Sequence, residues 1–218
     1  EFVALVEKNS VAIMGQTKEF VPADKLFYAL RDVTGTIECT PLIVASILSK
    51  KKAEGIDALV LDIKVGSGAF MKTQKDAERL AKMLVAVAQK LELPTRALLT
   101  DMNQPLGVAA GNSVEILECI DLLEGRGPHD LRLLCVELAA HMLVLGKKST
   151  SLAAARLLAR RNLSNGAALK KFKDMCTSQG STFDICADRS KLALSSHIIV
   201  VHDQRAGFSK KMDVEKIG

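Results

Sequence analysis

Arg31, Ser46 and Lys50 are three polar residues whose types and spacing could bind one small, planar, oxygen-bearing ligand. Ser46 and Lys50 are four residues apart, which places both side chains on one face of a helix. Arg31 stands at the end of the preceding helical pattern, so its guanidinium could reach the same ligand. Taken alone, Lys50 has an alternative interpretation as a solvated lysine that the dipole favours near a helix C-terminus.

Two predicted helices position these residues. The first runs from Pro22 to Val33, with proline at the first helical position, Asp24 in the first turn and apolar residues at helical intervals. The second runs from Pro41 to Glu54, after Thr40 as N-cap and before Gly55, a residue typical of helix ends. Arg31 therefore belongs to the first helix, and Ser46 and Lys50 belong to the second.

Strands and helices alternate around these two helices, and the later part of the chain has a purely helical pattern. Because a strand, helix, strand order is typical of parallel sheets, we predict an α/β fold with a mostly parallel sheet flanked by helices. The predicted elements are strands at 10–14, 58–65 and 96–100, helices at 74–91 and 113–123, several helices within 130–178, and a strand within 195–208.

Composition bounds the class of protein. The chain has 218 residues, of which 48% are hydrophobic and 25% charged, values typical of a globular chain with one large domain or two small ones. No stretch approaches the roughly 20 uncharged apolar residues of a membrane span. The first residues lack the pattern of a signal peptide. We therefore predict a cytoplasmic protein without membrane contact.

Charge and cysteine content exclude further classes. The net charge is +5, with one tyrosine and no tryptophan for bases to stack on, so we predict no binding of nucleic acid. The cysteines form no CxxC pair and the histidines have no partner at metal-ligand spacing, so we expect reduced, mostly buried thiols and structural histidines. These residues are Cys39, Cys119, Cys135, Cys176, Cys186, His129, His141, His197 and His202.

Several blocks of the sequence resemble the family of thymidine phosphorylases and pyrimidine-nucleoside phosphorylases. They include VAIMGQT, PADK, LDIKVGSGAFM and LLTDMNQPLG, besides the run that carries Arg31, Ser46 and Lys50. The resemblance implies that these three residues bind the pyrimidine base, and that Arg31 and Lys50 are catalytic because they stabilise charge on the leaving base. It also implies an apolar base pocket, with core packing as the alternative for its members, which are Tyr28, Ile43 and Phe70.

The resemblance further implies reversible phosphorolysis of pyrimidine nucleosides, thymidine first and uridine as a further candidate, to the free base and (deoxy)ribose 1-phosphate. It implies inorganic phosphate as co-substrate and no organic cofactor. The fold implied is a two-lobe α/β architecture with a small helical lobe, here truncated at both ends as the central segment of a longer chain. Residues 1–21 would begin the α/β lobe, 22–54 would form part of the helical lobe, and 55–218 would continue the α/β lobe. The linkers at 15–21 and 54–56 would suit a hinge.

The loop from Lys64 to Met71 contains Gly66, Ser67 and Gly68, whose backbone amides could approach a ligand. It lacks the third glycine of a dinucleotide motif and the GK[ST] of a phosphate loop, so we predict neither NAD nor ATP binding.

Resemblance also suggests a monovalent cation, potassium, bound by the carbonyls of Leu106 and Ala109 and by the carboxylate of Glu118. It suggests a homodimer formed through the helical lobe. Two alternatives remain open: a phosphoribosyltransferase of the anthranilate type, which shares the two-lobe plan, and a non-catalytic relative of the phosphorylase fold.

Overall fold

The computed structural model describes residues 2–15, 17, 19–202 and 206–217, and it has an α/β fold. By their internal contacts the residues form two compact units, each of which is described by itself. The elements in chain order are α1 (Phe2–Asn9), α2 (Pro22–Thr34), α3 (Thr40–Ala53), β1 (Leu59–Val65), α4 (Gln74–Lys90), β2 (Thr95–Asp101), α5 (Asn112–Leu123), α6 (His129–Leu145), α7 (Leu152–Ser164), α8 (Ala167–Ser178), a 3-10 helix (Arg189–Lys191) and α9 (Val214–Ile217).

The base-binding candidates lie in a unit that comprises Gly15–Met102 and Glu137–Arg156, here called the strand unit. Within the described residues its sheet has two strands, β1 and β2, which pair in parallel with Leu59 opposite Thr95 and Val65 opposite Asp101. Helix α4 connects the strands. The predicted parallel βαβ arrangement is therefore confirmed.

Helix α4 covers one face of this sheet. Thr73 caps its first turn by accepting a hydrogen bond from the Asp76 amide at 3.2 Å. Its apolar residues recur at three- and four-residue intervals, and burying that stripe against the sheet supplies the main hydrophobic stabilisation of the unit. The buried core consists of Val44, Leu48, Leu59, Ile63, Met71, Ala77, Leu80, Ala81, Leu84, Ala88 and Leu93.

Helices α2 and α3 have nearly the bounds that the sequence predicts. Gly35, with φ of 64°, ends α2 in the left-handed conformation that glycine adopts at low cost. Val44 and Leu48 anchor α3 in the core. The division into lobes at residues 21/22 and 54/55, and the two-lobe architecture itself, stay predictions.

The other unit comprises Glu1–Met14, Asn103–Val136 and Leu157–Gly218, and is here called the helical unit. Helix α8 contacts both α1 and α5 in this unit. Ile120 of α5 is fully buried. The predicted helices within 113–123 and 130–178 are confirmed as α5 to α8, whereas α1 was not predicted from the sequence.

The predicted strand at 10–14 is wrong, because these residues form no strand. The backbone of Ile13 is paired instead with a side chain: its amide donates to Gln179 Oε1 at 2.9 Å, and its carbonyl accepts from Gln179 Nε2 at 2.6 Å. A single glutamine thus satisfies the groups that a neighbouring strand would otherwise bond.

The predicted strand within 195–208 is also wrong for the described residues, which form neither strand nor helix there. Residues 203–205 lie outside the described residues. Ile198 and Val201 are 85% and 89% exposed. A segment rich in β-branched residues forms a strand only when a neighbouring strand pairs with its backbone N–H and C=O groups.

The cysteines are free thiols, but the expectation that they are mostly buried is wrong. Cys39, Cys119 and Cys135 are exposed, and the other two are half-buried. Cysteine is small enough to sit at the edge of a helix interface, so its type alone does not decide its burial. Among the described helices, none combines the length and the apolar character needed to cross a membrane.

Candidate functional site

Lys50 and Ser46 meet at the inner face of α3. The Lys50 ammonium Nζ donates a hydrogen bond to Ser46 Oγ at 2.7 Å, as their spacing of one helical turn predicts. Ser46 is buried, with 8% of its surface exposed. Lys50 also forms an ion pair with Asp24 of α2, with Nζ 2.5 Å from Oδ2. An ammonium has three N–H donors, and these two contacts occupy two of them.

The Asp24 carboxylate is kept ionised by its neighbours. Burial would raise the pKa of Asp24, but the hydrogen bond from Lys50, the nearby Ser46 hydroxyl and the positive charges of Lys50 and Arg31 outweigh this effect, so the pKa lies below its usual range. Asp24 is therefore an anion that two cations and one hydroxyl face.

Arg31 is buried at the end of α2, with 6% of its surface exposed. Its Nε donates to the Thr36 carbonyl at 3.4 Å, and its Nη2 donates to the Ile37 carbonyl. The guanidinium carbon lies 5.4 Å from the centre of the Tyr28 ring, within cation–π distance. These contacts fix the guanidinium between α2 and the segment that leads into α3.

The three predicted pocket residues have different surroundings. Tyr28 is 51% exposed and lies beneath Arg31. Ile43 packs against the core of the strand unit, which is the packing alternative for this residue. Phe70 is 63% exposed in the turn after β1. Their role as walls of a base pocket stays a prediction.

The glycine-containing loop after β1 uses its amides within the fold. Gly66 donates to the Met71 carbonyl and Gly68 donates to the Met102 carbonyl, both at 3.0 Å. The Met102 amide in turn donates to the Val65 carbonyl at 2.7 Å. These bonds join the ends of β1 and β2, so the amides of Gly66 and Gly68 stabilise the sheet edge.

The predicted cation loop lies in the helical unit. Glu118 of α5 is buried, with 9% exposed, and its Oε1 accepts a hydrogen bond from the Val108 amide at 2.8 Å. Asp130 Oδ2 accepts from the Gly107 amide at 3.0 Å. The two carboxylates thus hold the loop that carries Leu106 and Ala109. Among the described residues, no group of three His, Cys, Asp or Glu side chains could hold a metal ion.

Asp24 is the residue that the sequence analysis missed, because it was interpreted only as a first-turn acid that favours a helix N-terminus. The spacing between Asp24 and Arg31 in the sequence could have indicated its role. Asp24 precedes Arg31 by seven residues, two turns of the same helix, so both side chains lie on one face of α2. Only the packing of α2 against α3 shows that this face meets Lys50.

The arrangement has the properties of an anion-stabilising site. Two cations and one hydroxyl are opposed by one carboxylate, which leaves a net charge of about +1 by simple counting of ionised groups. Donors held in place and shielded from water stabilise charge that develops on a ligand oxygen more strongly than water does. Such a site suits a reaction in which a planar group leaves with its electron pair.

Comparison with known proteins agrees with this class of chemistry. Residues 1–169 match the model of a family described as "Glycosyl transferase family, a/b domain", and the chain belongs to this family.

Individual relatives of the chain indicate a narrower class of enzyme than the family does. The chain is 47% identical over 218 residues to a pyrimidine-nucleoside phosphorylase of Bacillus subtilis (strain 168), and 44% identical over 218 residues to one of Geobacillus stearothermophilus. It is 45% identical over 217 residues to one of Staphylococcus aureus (strain USA300). These matches cover 100% of the chain and 50% of each relative, so the chain spans about half the length of the curated relatives it matches.

Proposed function

We propose that the protein takes part in the reversible phosphorolysis of pyrimidine nucleosides. An oxygen of inorganic phosphate forms a bond to the anomeric carbon of the sugar, and the bond from that carbon to the ring nitrogen of the base breaks. The electron pair moves onto the base and spreads to its carbonyl oxygens. The products are a sugar 1-phosphate and the free base, which takes up a proton.

The juxtaposition of Lys50, Ser46 and Arg31 carries this proposal. Arg31 and Lys50 would donate to the carbonyl oxygens on which negative charge develops, and Ser46 would hydrogen-bond the edge of the ring. The third N–H of Lys50 is suited to this contact, since Ser46 and Asp24 engage the other two. The relatives are pyrimidine-nucleoside phosphorylases, which supports the phosphorylase over the phosphoribosyltransferase alternative.

The substrates proposed are uridine and thymidine, with phosphate as co-substrate and no organic cofactor. Tyr28, Ile43 and Phe70 would supply apolar contact to the base.

The proposal can be tested on the complete natural polypeptide that contains residues 1–218. Release of uracil from uridine and of thymine from thymidine is measured with and without phosphate, for the unaltered protein and for Arg31→Ala and Lys50→Ala. Since a lost donor to a developing anion costs about 3 kcal/mol of barrier, we expect kcat/KM to fall about 100-fold or more in each variant.

Lys51→Ala is the matched control, because Lys51 is the next residue of the same helix and pairs with Glu54 at 2.8 Å. It should keep its activity. If the folded, complete protein releases no base in the presence of phosphate, the proposal is wrong and the non-catalytic relative is favoured. If release occurs but Lys51→Ala loses as much activity as Lys50→Ala, the site has been misassigned.

We further propose that the loop of Leu106 and Ala109 binds potassium together with Glu118. Carboxylate and carbonyl oxygens are the donors that a hard cation prefers, and the buried Glu118 carboxylate already contacts this loop through the Val108 amide. When bound, the cation would supply positive charge and fix the loop. The chain's own contribution is the seating of Glu118 against that loop.

A homodimer is the proposed assembly. Helix α2 exposes an apolar row at helical spacing, with Leu26, Leu30 and Val33 at 74%, 55% and 81% exposure. A contiguous exposed apolar row is typical of an interface between proteins. A second copy of the chain is the proposed occupant, as the resemblance implies.

A further inference from the structure

Asp24 is the one member of the charged cluster to which the proposed reaction gives no role. Its side chain is 9% exposed, and the carboxylate lies 2.5 Å from Lys50 Nζ across the contact between α2 and α3. The Ser46 hydroxyl and the Arg31 guanidinium both lie near enough to lower its pKa. The carboxylate therefore touches or faces each of the three groups proposed to bind the base.

We propose that Asp24 is a positioning residue, which holds the Lys50 ammonium in the orientation that the departing base requires. This inference rests on the proposed function. Asp24 does not contact the reacting atoms; it acts through Lys50.

The physical reason lies in the lysine side chain. Its ammonium sits on a flexible four-carbon stem, and a fixed position for it has a cost in rotamer entropy. One contact, to Ser46, leaves the ammonium free to rotate about that contact. A second contact, to an anion on another helix, restricts this rotation and points the remaining N–H in one direction.

The opposite charge also matters. Lys50, which is half-buried, and the buried Arg31 both face Asp24, and the negative charge of this carboxylate offsets the repulsion between the two cations. Without Asp24, the ammonium would turn toward solvent, where it is better hydrated. The catalytic donor would then be displaced although the helix remained folded.

A merely structural role predicts a different outcome. An ion pair that only joined α2 to α3 would lower the free energy of unfolding when it is lost, but kcat/KM of the variant, measured where it is fully folded, would stay nearly unchanged. A positioning residue loses its effect once the group that it positions is gone. A double-mutant cycle distinguishes these two cases.

The experiment uses the complete natural polypeptide and four forms of it: unaltered, Asp24→Asn, Lys50→Met, and both changes together. Steady-state rates of base release give kcat/KM for uridine and, separately, KM for phosphate. We expect Asp24→Asn to lower kcat/KM for uridine about 10- to 100-fold in the unaltered background and less than about 3-fold in the Lys50→Met background. In Asp24→Asn the KM for phosphate should stay within about 2-fold of its value in the unaltered protein.

Glu78→Gln is the matched control, because it removes one exposed carboxylate that pairs with Lys82 at 3.9 Å on α4. It should leave kcat/KM unchanged. If Asp24→Asn fails to fold, Asp24→Glu takes its place in the cycle, because it keeps the charge and moves it by one methylene.

The outcomes separate the two proposals. If the unaltered protein releases no base, the proposed function fails. If it is active but Asp24→Asn is as active, or lowers kcat/KM equally with and without Lys50, the positioning role of Asp24 is overturned while the proposed function stands.

Discussion

Glu137 shows how a single residue couples charge to stability in the strand unit. Its carboxylate accepts two hydrogen bonds from Arg156, at 2.6 and 2.7 Å, and lies 3.3 Å from His141 Nε2. His141 in turn contacts Arg96 at 3.1 Å. The sequence predicted a structural role for this histidine, and its contacts with Glu137 and Arg96 agree with that role.

Replacing Glu137 by glutamine should destabilise the protein in a pH-dependent way. The hydrogen bond from Arg156 is the largest influence on the carboxyl, and it holds the pKa of Glu137 below its ordinary range. The folded state therefore favours the ionised form, and this stabilisation is complete above the unfolded pKa of about 4.3 and is lost as the pH falls through the lower folded pKa. We expect Glu137→Gln to lower the free energy of unfolding by about 1 kcal/mol at pH 7.

Urea denaturation of both proteins at several pH values between 7 and 3 checks this expectation. The difference between them should shrink toward the acid end. Glu78→Gln, whose carboxylate is exposed, should change the unfolding free energy by less than about 0.5 kcal/mol throughout. A difference for Glu137→Gln that stays constant down to pH 3 would contradict the assignment.

The loop between β2 and α5 depends on glycine at one position. Gly107 has φ of 72°, and a Cβ there would lie 2.2 Å from Glu118 Oε2. Gly125 has φ of 89°, but a Cβ there would meet nothing within 4 Å. Both glycines have a positive φ angle, but only at Gly107 would an added Cβ collide with a neighbouring side chain.

Gly107→Ala should therefore destabilise the protein more than Gly125→Ala does. The positive φ costs each variant about 1–2 kcal/mol. Displacing the buried Glu118 carboxylate adds about 1–3 kcal/mol for Gly107→Ala alone. Thermal and urea denaturation of the two variants measure the difference, and equal destabilisation would show that Glu118 moves aside freely.

Helices proved more predictable than strands because their signals are local. Proline near the start of α2, glycine after it and apolar residues at helical intervals are all read within one segment. The segments at 10–14 and 195–208 have strand-like composition, yet a strand forms only with a partner. For Ile13 the partner is the side chain of Gln179, which is 166 residues away in the chain.

At the scale of the whole molecule, the exposed apolar row on α2 leads us to expect a dimer that forms through this helix. Leu30→Glu places a charge in the centre of this row, and a charge buried without a partner is strongly unfavourable. We expect the complete natural polypeptide to be a dimer and the variant to have half its mass, measured by size-exclusion chromatography with light scattering.

Leu157→Glu on α7 is the control, since Leu157 is 66% exposed and lies outside α2. It should leave the mass unchanged. An unaltered protein that is monomeric at micromolar concentration, or a Leu30→Glu variant that stays dimeric, would exclude α2 as the interface.

The sequence by itself determined the class of the fold, the bounds of α2 and α3 and the helical spacing that joins Ser46 to Lys50. Each of these depends on residues within a few turns of one another, where periodicity and capping act. Tertiary structure alone decided that Asp24 meets Lys50, that Ile43 packs against the core and that the amides of Gly66 and Gly68 stabilise the sheet edge. Those contacts join segments that are distant in the chain, and their partners are selected by burial and hydrogen bonding in the folded protein.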